Sequence, residues 1–236
     1  MIAGRRVLAV VPARGGSKGI ALKNLRTVGG IPLVIRAGQV IAEIDEIDRA
    51  VVSTDHDGIA EVAEQGGLAA PFRRPEALSG DRIADWDVLH HALTQMEALD
   101  DVSYDIVLML QPTSPGRRAD DVRRALAKLV DGGFDAVWTL SETDSKGHPL
   151  KQLTVKQNGQ FDYHDPAGAA IIARQQLTPV YHRNGVAYAI TRDCLDRQRS
   201  IKGANPGAVV IDRPLANIDT ELDLAWADFL AGRGEL

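Results

Sequence analysis

Short apolar runs alternate along the chain with stretches whose apolar residues recur at helical spacing. Val7 to Val11 is the first run. It is rich in β-branched residues, the composition of a buried strand, and Pro12 stops it. Ile31 to Ile44 then carries Leu33, Val34, Ala37, Val40, Ile41 and Ile44 as one helical stripe, with Pro32 suited to its first turn. Ala50 to Val52 is a strand ended by Ser53-Thr54-Asp55. Ile59 to Gln65 is a helix closed by Gly66-Gly67. A helix over 85–99, an aliphatic strand over 106–110, a helix over 120–130 and a strand over 136–140 follow.

Strands that alternate with helices predict an α/β fold with a doubly wound, mainly parallel sheet. The rhythm breaks between Ser141 and Arg183. That stretch is polar, with a hairpin turn expected at Asn158-Gly159, a small apolar patch at 167–173, and Arg174-Gln175-Gln176 behind it. It reads as a lobe inserted into a single domain over 1–236. The pattern resumes with strands at 185–190 and 209–211. Thr220-Glu221-Leu222-Asp223 has the form of a capping box and opens a last helix to about Leu230.

Composition narrows the function classes. The chain has 236 residues, enough for one large α/β domain. A net charge of −5 disfavours a general nucleic-acid binder. Cys194 is the single cysteine, so no internal disulfide or multi-cysteine zinc site can form. His148, His164 and His182 lack metal-ligand spacing. The apolar run after Arg5 and Arg6 is too short for a signal-peptide core or a membrane span, so the expected compartment is the cytoplasm.

Three stretches carry candidate chemistry. After the first strand, Gly15, Gly16 and Gly19 let the backbone turn sharply, while Arg14, Lys18 and Lys23 supply charge, with Arg26 just beyond. Such a loop suits a polyphosphate, or is simply a solvated basic turn. It matches neither the P-loop nor GxGxxG, because Lys18 precedes a glycine and the glycine spacing differs. Gln111-Pro112-Thr113-Ser114-Pro115 is a rigid turn at a strand end, with Gln111 offering both donor and acceptor. In an extended backbone Asn217 and Asp219 present two oxygens to one face, which suits a hard cation such as Mg²⁺; an Asp before a helix also serves as a cap.

ARGGSKGIALKN, residues 13–24, resembles the signature of the acylneuraminate cytidylyltransferases, the CMP-sialic acid synthetases and their relatives acting on other nonulosonates. Val52 to Asp55, Arg74-Pro75-Glu76, Leu110 to Pro115, Tyr181 to Gly185 and Ala216 to Leu224 resemble further family blocks and come in family order, from about residue 7 to residue 230. The resemblance implies a Rossmann-like nucleotidyltransferase joining CTP to a 2-keto sugar acid, with release of pyrophosphate. By the same resemblance Ala13, Arg14, Gly16, Ser17, Lys18, Lys23, Asn24, Arg74 and Asp81 hold the nucleotide. Gln111, Lys151, Arg174, Tyr181, Arg183 and Asn184 hold the acid. Asp219 and Asn217 hold Mg²⁺, and Arg14, Lys23 and Asp219 act in the reaction. A homodimer is implied, with the 141–183 lobe crossing to the partner. The chain departs from the family at Asn217, where Asp is common, and at Arg82-Ile83-Ala84-Asp85, where the family is rich in Thr and Ser. Rival readings are the same chemistry on 3-deoxy-manno-octulosonate, a sugar-1-phosphate nucleotidyltransferase, and a nucleotide-binding module without turnover.

Overall fold

The computed structural model describes Met1–Leu236. In chain order the elements are β1 (Val7–Pro12), β2 (Thr27–Val28), β3 (Ile31–Pro32), α1 (Leu33–Ala42), β4 (Arg49–Ser53), α2 (Asp57–Gln65), α3 (Asp85–Asp100), β5 (Ile106–Met109), α4 (Ala119–Gly132), β6 (Ala136–Glu142), β7 (Leu153–Val155), β8 (Phe161–Tyr163), β9 (Tyr181–Thr191), α5 (Arg192–Asp196), β10 (Pro206–Val210) and α6 (Glu221–Gly232).

The central sheet runs β10-β6-β9-β5-β1-β4. Alternation along β1 builds its two faces. Val7, Ala9 and Val11 pack with Val34 and Ala37 of α1, Ile59 of α2 and Leu126 of α4. Leu8 and Val10 point the other way, against Leu89, Leu93 and Met96 of α3 and Leu195 of α5. Val7 to Val11 are wholly buried. Burial of each large aliphatic side chain stabilises by about 1.5–3 kcal/mol, so β1 is the spine of a three-layer domain. A smaller cluster of Ile20, Val28, Leu33, Ile218 and Leu224 seats α6 beside the loop that follows β1.

The sheet is mainly parallel: β1 pairs in parallel with β4 and β5, and β10 with β6. β9 is the antiparallel member, lying between β5 and β6. It starts at Tyr181, earlier than the apolar run from Gly185 predicts, because its polar first residues pair with Leu140 to Glu142 of β6 outside the core. α1 is shorter than its stripe, since Ile31-Pro32 pairs with Thr27-Val28 instead. Between β6 and β9 lie the β7–β8 hairpin and short 3-10 turns at Pro149–Lys151, Pro166–Ala170 and Arg174–Gln176.

Candidate active site

The parallel strands β1, β4 and β5 end at one edge of the sheet, and backbone hydrogen bonds stitch the following loops together there. Ala13 N–H donates to the Ser53 carbonyl at 2.9 Å, and Arg74 N–H to that of Thr54 at 2.8 Å. Gly15 N–H donates to Asp55 Oδ1 at 2.9 Å, and the Asn24 amide to the Arg14 carbonyl at 3.0 Å. Leu22 takes a left-handed conformation at φ 47°, which costs about 1 kcal/mol or more in a non-glycine residue. It starts the 3-10 turn Lys23–Leu25, whose buried Asn24 and inward-reaching Lys23 close the loop. The chain returns to this edge at its far end: Ile218 N–H donates to the Thr113 carbonyl at 2.9 Å. Gly19 lies so close to Asp219 that a Cβ there would collide with the Asp219 carbonyl oxygen.

These loops enclose a cleft of about 580 Å³ in which Leu78, Ile83 and Val88 are the hydrophobic lining residues. So polar a lining suits a charged ligand. Arg14, Ser17, Lys18, Lys23, Asn24, Arg74, Asp81, Gln111, Asn217 and Asp219 all face it. The loop cations are each held by a carboxylate. Arg14 Nη1 lies 2.8 Å from Asp81 Oδ1, Lys18 pairs with the other Asp81 oxygen, and Lys23 Nζ lies 2.9 Å from Asp219 Oδ1. Hydrogen bonds from Lys18 and then Arg14 hold the Asp81 carboxyl below the ordinary range.

Arg74 is nearly buried, and its Nε donates to Ser79 Oγ at 3.3 Å. Burial lowers its pKa first of all, Asp55 opposes the shift, and Arg14 adds to it. Its guanidinium therefore brings a poorly solvated charge to the cleft wall. Asp85 was not singled out as a site residue in the sequence beyond its place in the divergent 82–85 run, yet it lines the same cleft. Burial pushes its carboxyl up, with Arg183 opposing from 3.9 Å. Arg183 itself lies over the Trp138 ring, 5.5 Å from its centroid. Thr113, part of the rigid turn after β5 but given no site role in the sequence, is a second lining residue.

Other candidates lie elsewhere. Lys151 is exposed on the lobe. Arg174 lines a separate hollow of about 560 Å³ with Asp144, His148 and Gln175. Tyr181 is exposed. Asn184 is buried: its Oδ1 accepts from Thr139 Oγ1 at 2.7 Å and its amide donates to Ser141 Oγ at 3.1 Å, so it braces β9 against β6. Ala13, which is buried, and Gly16 do not line the cleft.

A family profile described as cytidylyltransferase matches residues 8–216. The chain is 29% identical over 233 residues to a CMP-N,N'-diacetyllegionaminic acid synthase of Legionella pneumophila, covering 94% of each sequence. It is 29% identical over 225 residues to a pseudaminic acid cytidylyltransferase of Campylobacter jejuni, covering 94% of this chain and 95% of that one. In fold it is similar to a CMP:2-keto-3-deoxy-manno-octonic acid synthetase solved with CTP, with a TM-score of 0.70 at 18% identity over 97% of this chain and 99% of the other. A profile that spans most of the chain, and relatives matched almost from end to end, establish that the protein belongs to the cytidylyltransferase family.

Proposed function

We propose that the protein is a CMP-nonulosonate synthetase: it transfers CMP from CTP to the anomeric hydroxyl of a sialic-type acid. The observation that carries this is the convergence of Arg14, Lys18, Lys23 and Arg74 with Gln111, Asn217 and Asp219 on one cleft. The anomeric hydroxyl oxygen of the acid attacks the α-phosphorus and a new P–O bond forms; the bond from that phosphorus to the bridging α–β oxygen breaks, pyrophosphate leaves with its electrons, and the hydroxyl proton is released to solvent. Two anions must meet, so positioning and charge neutralisation supply most of the catalysis. Arg14, Lys18 and Lys23 hold the phosphates, exchanging their Asp81 and Asp219 partners for phosphate oxygens. Asn24 and Arg74 hold the nucleotide, and Gln111 meets the acid.

The donor set in the cleft fits Mg²⁺. Asp219 and Asn217 face the same space as the phosphate-binding cations and would offer a carboxylate and an amide oxygen. No group of three or more His, Cys, Asp or Glu side chains could form an all-protein cage, whereas Mg²⁺ takes one or two carboxylates and completes its shell with phosphate and water. When bound, the ion would neutralise phosphate charge and polarise the phosphoryl oxygens.

The same reading makes the protein a homodimer. Val155, Phe161 and Ile172 of the lobe are largely exposed, an apolar face that a partner would cover. Lys151 and Arg174 lie away from this chain's own cleft and would meet the acid carboxylate in the partner's. No helix is long and apolar enough to cross a membrane. The proposed compartment is the cytoplasm.

The test is a panel of nonulosonates with CTP, following CMP-sugar by mass and pyrophosphate by release. Turnover of sialic, legionaminic or pseudaminic acids supports the reading. Turnover of 3-deoxy-manno-octulosonate or of sugar 1-phosphates alone, or CTP binding with no turnover at all, would replace it with a rival.

A further inference from the structure

Arg117 is a buried cation that does not line the cleft. Its Nε donates to the Val186 carbonyl at 2.5 Å, and its Nη2 donates to the carbonyls of Gln111 at 2.5 Å and Gly185 at 3.0 Å. No carboxylate hydrogen-bonds it. The neighbouring Asp121 spends its oxygens on Arg213 and on the Arg118 N–H. Burial brings the Arg117 pKa down to about 9, so the group is still charged at neutral pH. A buried guanidinium without a paired carboxylate is costly, and its planar fork suits it to satisfy three carbonyls at once.

Those carbonyls belong to two segments that meet at the sheet edge. Gln111 N–H donates to the Gly185 carbonyl at 3.2 Å, and Ser114 Oγ donates to that of Asn184 at 2.7 Å. Gly185 has φ +74°, and a Cβ there would stand 2.6 Å from both Gln111 Oε1 and Ser114 Oγ. The Gln111 carboxamide therefore lies over the bare α-carbon of Gly185, and the main chain beneath it is held by Arg117.

We propose that Arg117 and Gly185 are positioning residues that act through Gln111: together they set the direction in which the Gln111 carboxamide enters the cleft. The arginine fixes the backbone on both sides of the junction, and the glycine leaves the room the carboxamide occupies. A carboxamide displaced by even about an ångström forfeits much of the advantage of an oriented contact. The proposal rests on the reading that Gln111 meets the acid.

Two readouts test it on the full-length protein. The first is the Gln111 side-chain amide signal in ¹⁵N NMR, assigned by its loss in Gln111→Ala. It should move or broaden in both Arg117→Lys, which keeps the charge but loses the fork, and Gly185→Ala. A signal unmoved in a folded variant of either kind overturns the proposal, whatever the substrate. The second is kinetic. Each variant should raise KM for the acid roughly tenfold with the CTP Kd unchanged. Arg117→Lys should add little once Gln111 is already Ala, the non-additivity expected of residues acting as a unit. Additive effects in that cycle would show that Arg117 acts by another route. If Gln111→Ala leaves the acid KM unchanged while its amide signal still moves in the other variants, the positioning stands and the assignment of Gln111 to the acid fails.

Discussion

Lys23 Nζ lies 2.9 Å from Asp219 Oδ1 and 2.7 Å from the Ile218 carbonyl, so the loop after the first strand is tied to the segment before the last helix across most of the chain. The tie engages one oxygen of the carboxylate assigned to the proposed metal. On the proposed reading, Lys23 would pass to phosphate and free Asp219 to help hold the ion. Asp219→Asn should abolish activity at ordinary Mg²⁺. Asn217→Asp, which adds a second carboxylate, should lower the Mg²⁺ needed for half-maximal rate. Rate against Mg²⁺ concentration for the three proteins decides it. An Asp219→Asn enzyme that stays active at low Mg²⁺ would place the metal elsewhere.

Arg14 is assigned to the triphosphate. Losing one charge-assisted contact costs about 1.5–3 kcal/mol, so Arg14→Ala should weaken CTP binding tenfold or more. Lys23→Ala should also weaken it. Calorimetric titration with CTP checks both. Unchanged tight binding in both variants would remove the loop from the phosphate site.

Asp85 gives a pH signature. Burial raises its folded pKa above the unfolded value, so ionising it in the fold is unfavourable. Its stabilising contribution is complete below the unfolded carboxylate pKa and is lost as pH rises through the raised folded pKa. Asp85→Asn should therefore melt higher than wild type at neutral pH, with the gap closing as pH falls toward about 4. A gap that widens in acid would show that Arg183, at 3.9 Å, outweighs burial.

The dimer prediction concerns Val155 and Phe161, which are largely exposed on the hairpin. Light scattering of the wild type should give twice the chain mass. Phe161→Asp should shift it toward monomer and lower activity, since Lys151 and Arg174 would lose the neighbouring cleft. A wild-type monomer at assay concentration would end the proposal.

Cys194 is wholly buried, and burial pushes its thiol up to about 11. The thiolate is the nucleophile, so alkylating reagents should leave the native protein unmodified and label it once in denaturant, as read by mass. Rapid labelling of the native protein would show that the α5 region opens.

The hydrophobic pattern is a local property, and the parts of this protein that follow from local physics could be read directly. Val7 to Val11 is a strand because its side chains leave no other way to be buried. The last helix begins at Thr220 because Thr220 and Asp223 satisfy each other's backbone donors. The parallel alternation and the basic loop at a strand end came with them.

Strand direction and long-range pairing are not written in any window of residues. Tyr181-His182-Arg183 is polar and resembles a loop, but becomes a strand because β6 offers it a partner, and β9 runs antiparallel because the lobe brings the chain back at the same end where β6 left the sheet, Tyr181 facing Glu142. Arg117 looks like one more charge ahead of a helix, and is buried only because three carbonyls from two distant segments converge on it. Asn184 and Arg183 are adjacent in a motif, yet a strand sends neighbours to opposite faces, so one braces the sheet while the other lies beside Asp85. Which residues carry charge, and where the chain turns, the sequence determined through composition and local backbone preference. Which charges meet was decided by tertiary structure, because Asp81 and Asp219 reach Arg14, Lys18 and Lys23 only when the sheet has brought their loops to one edge.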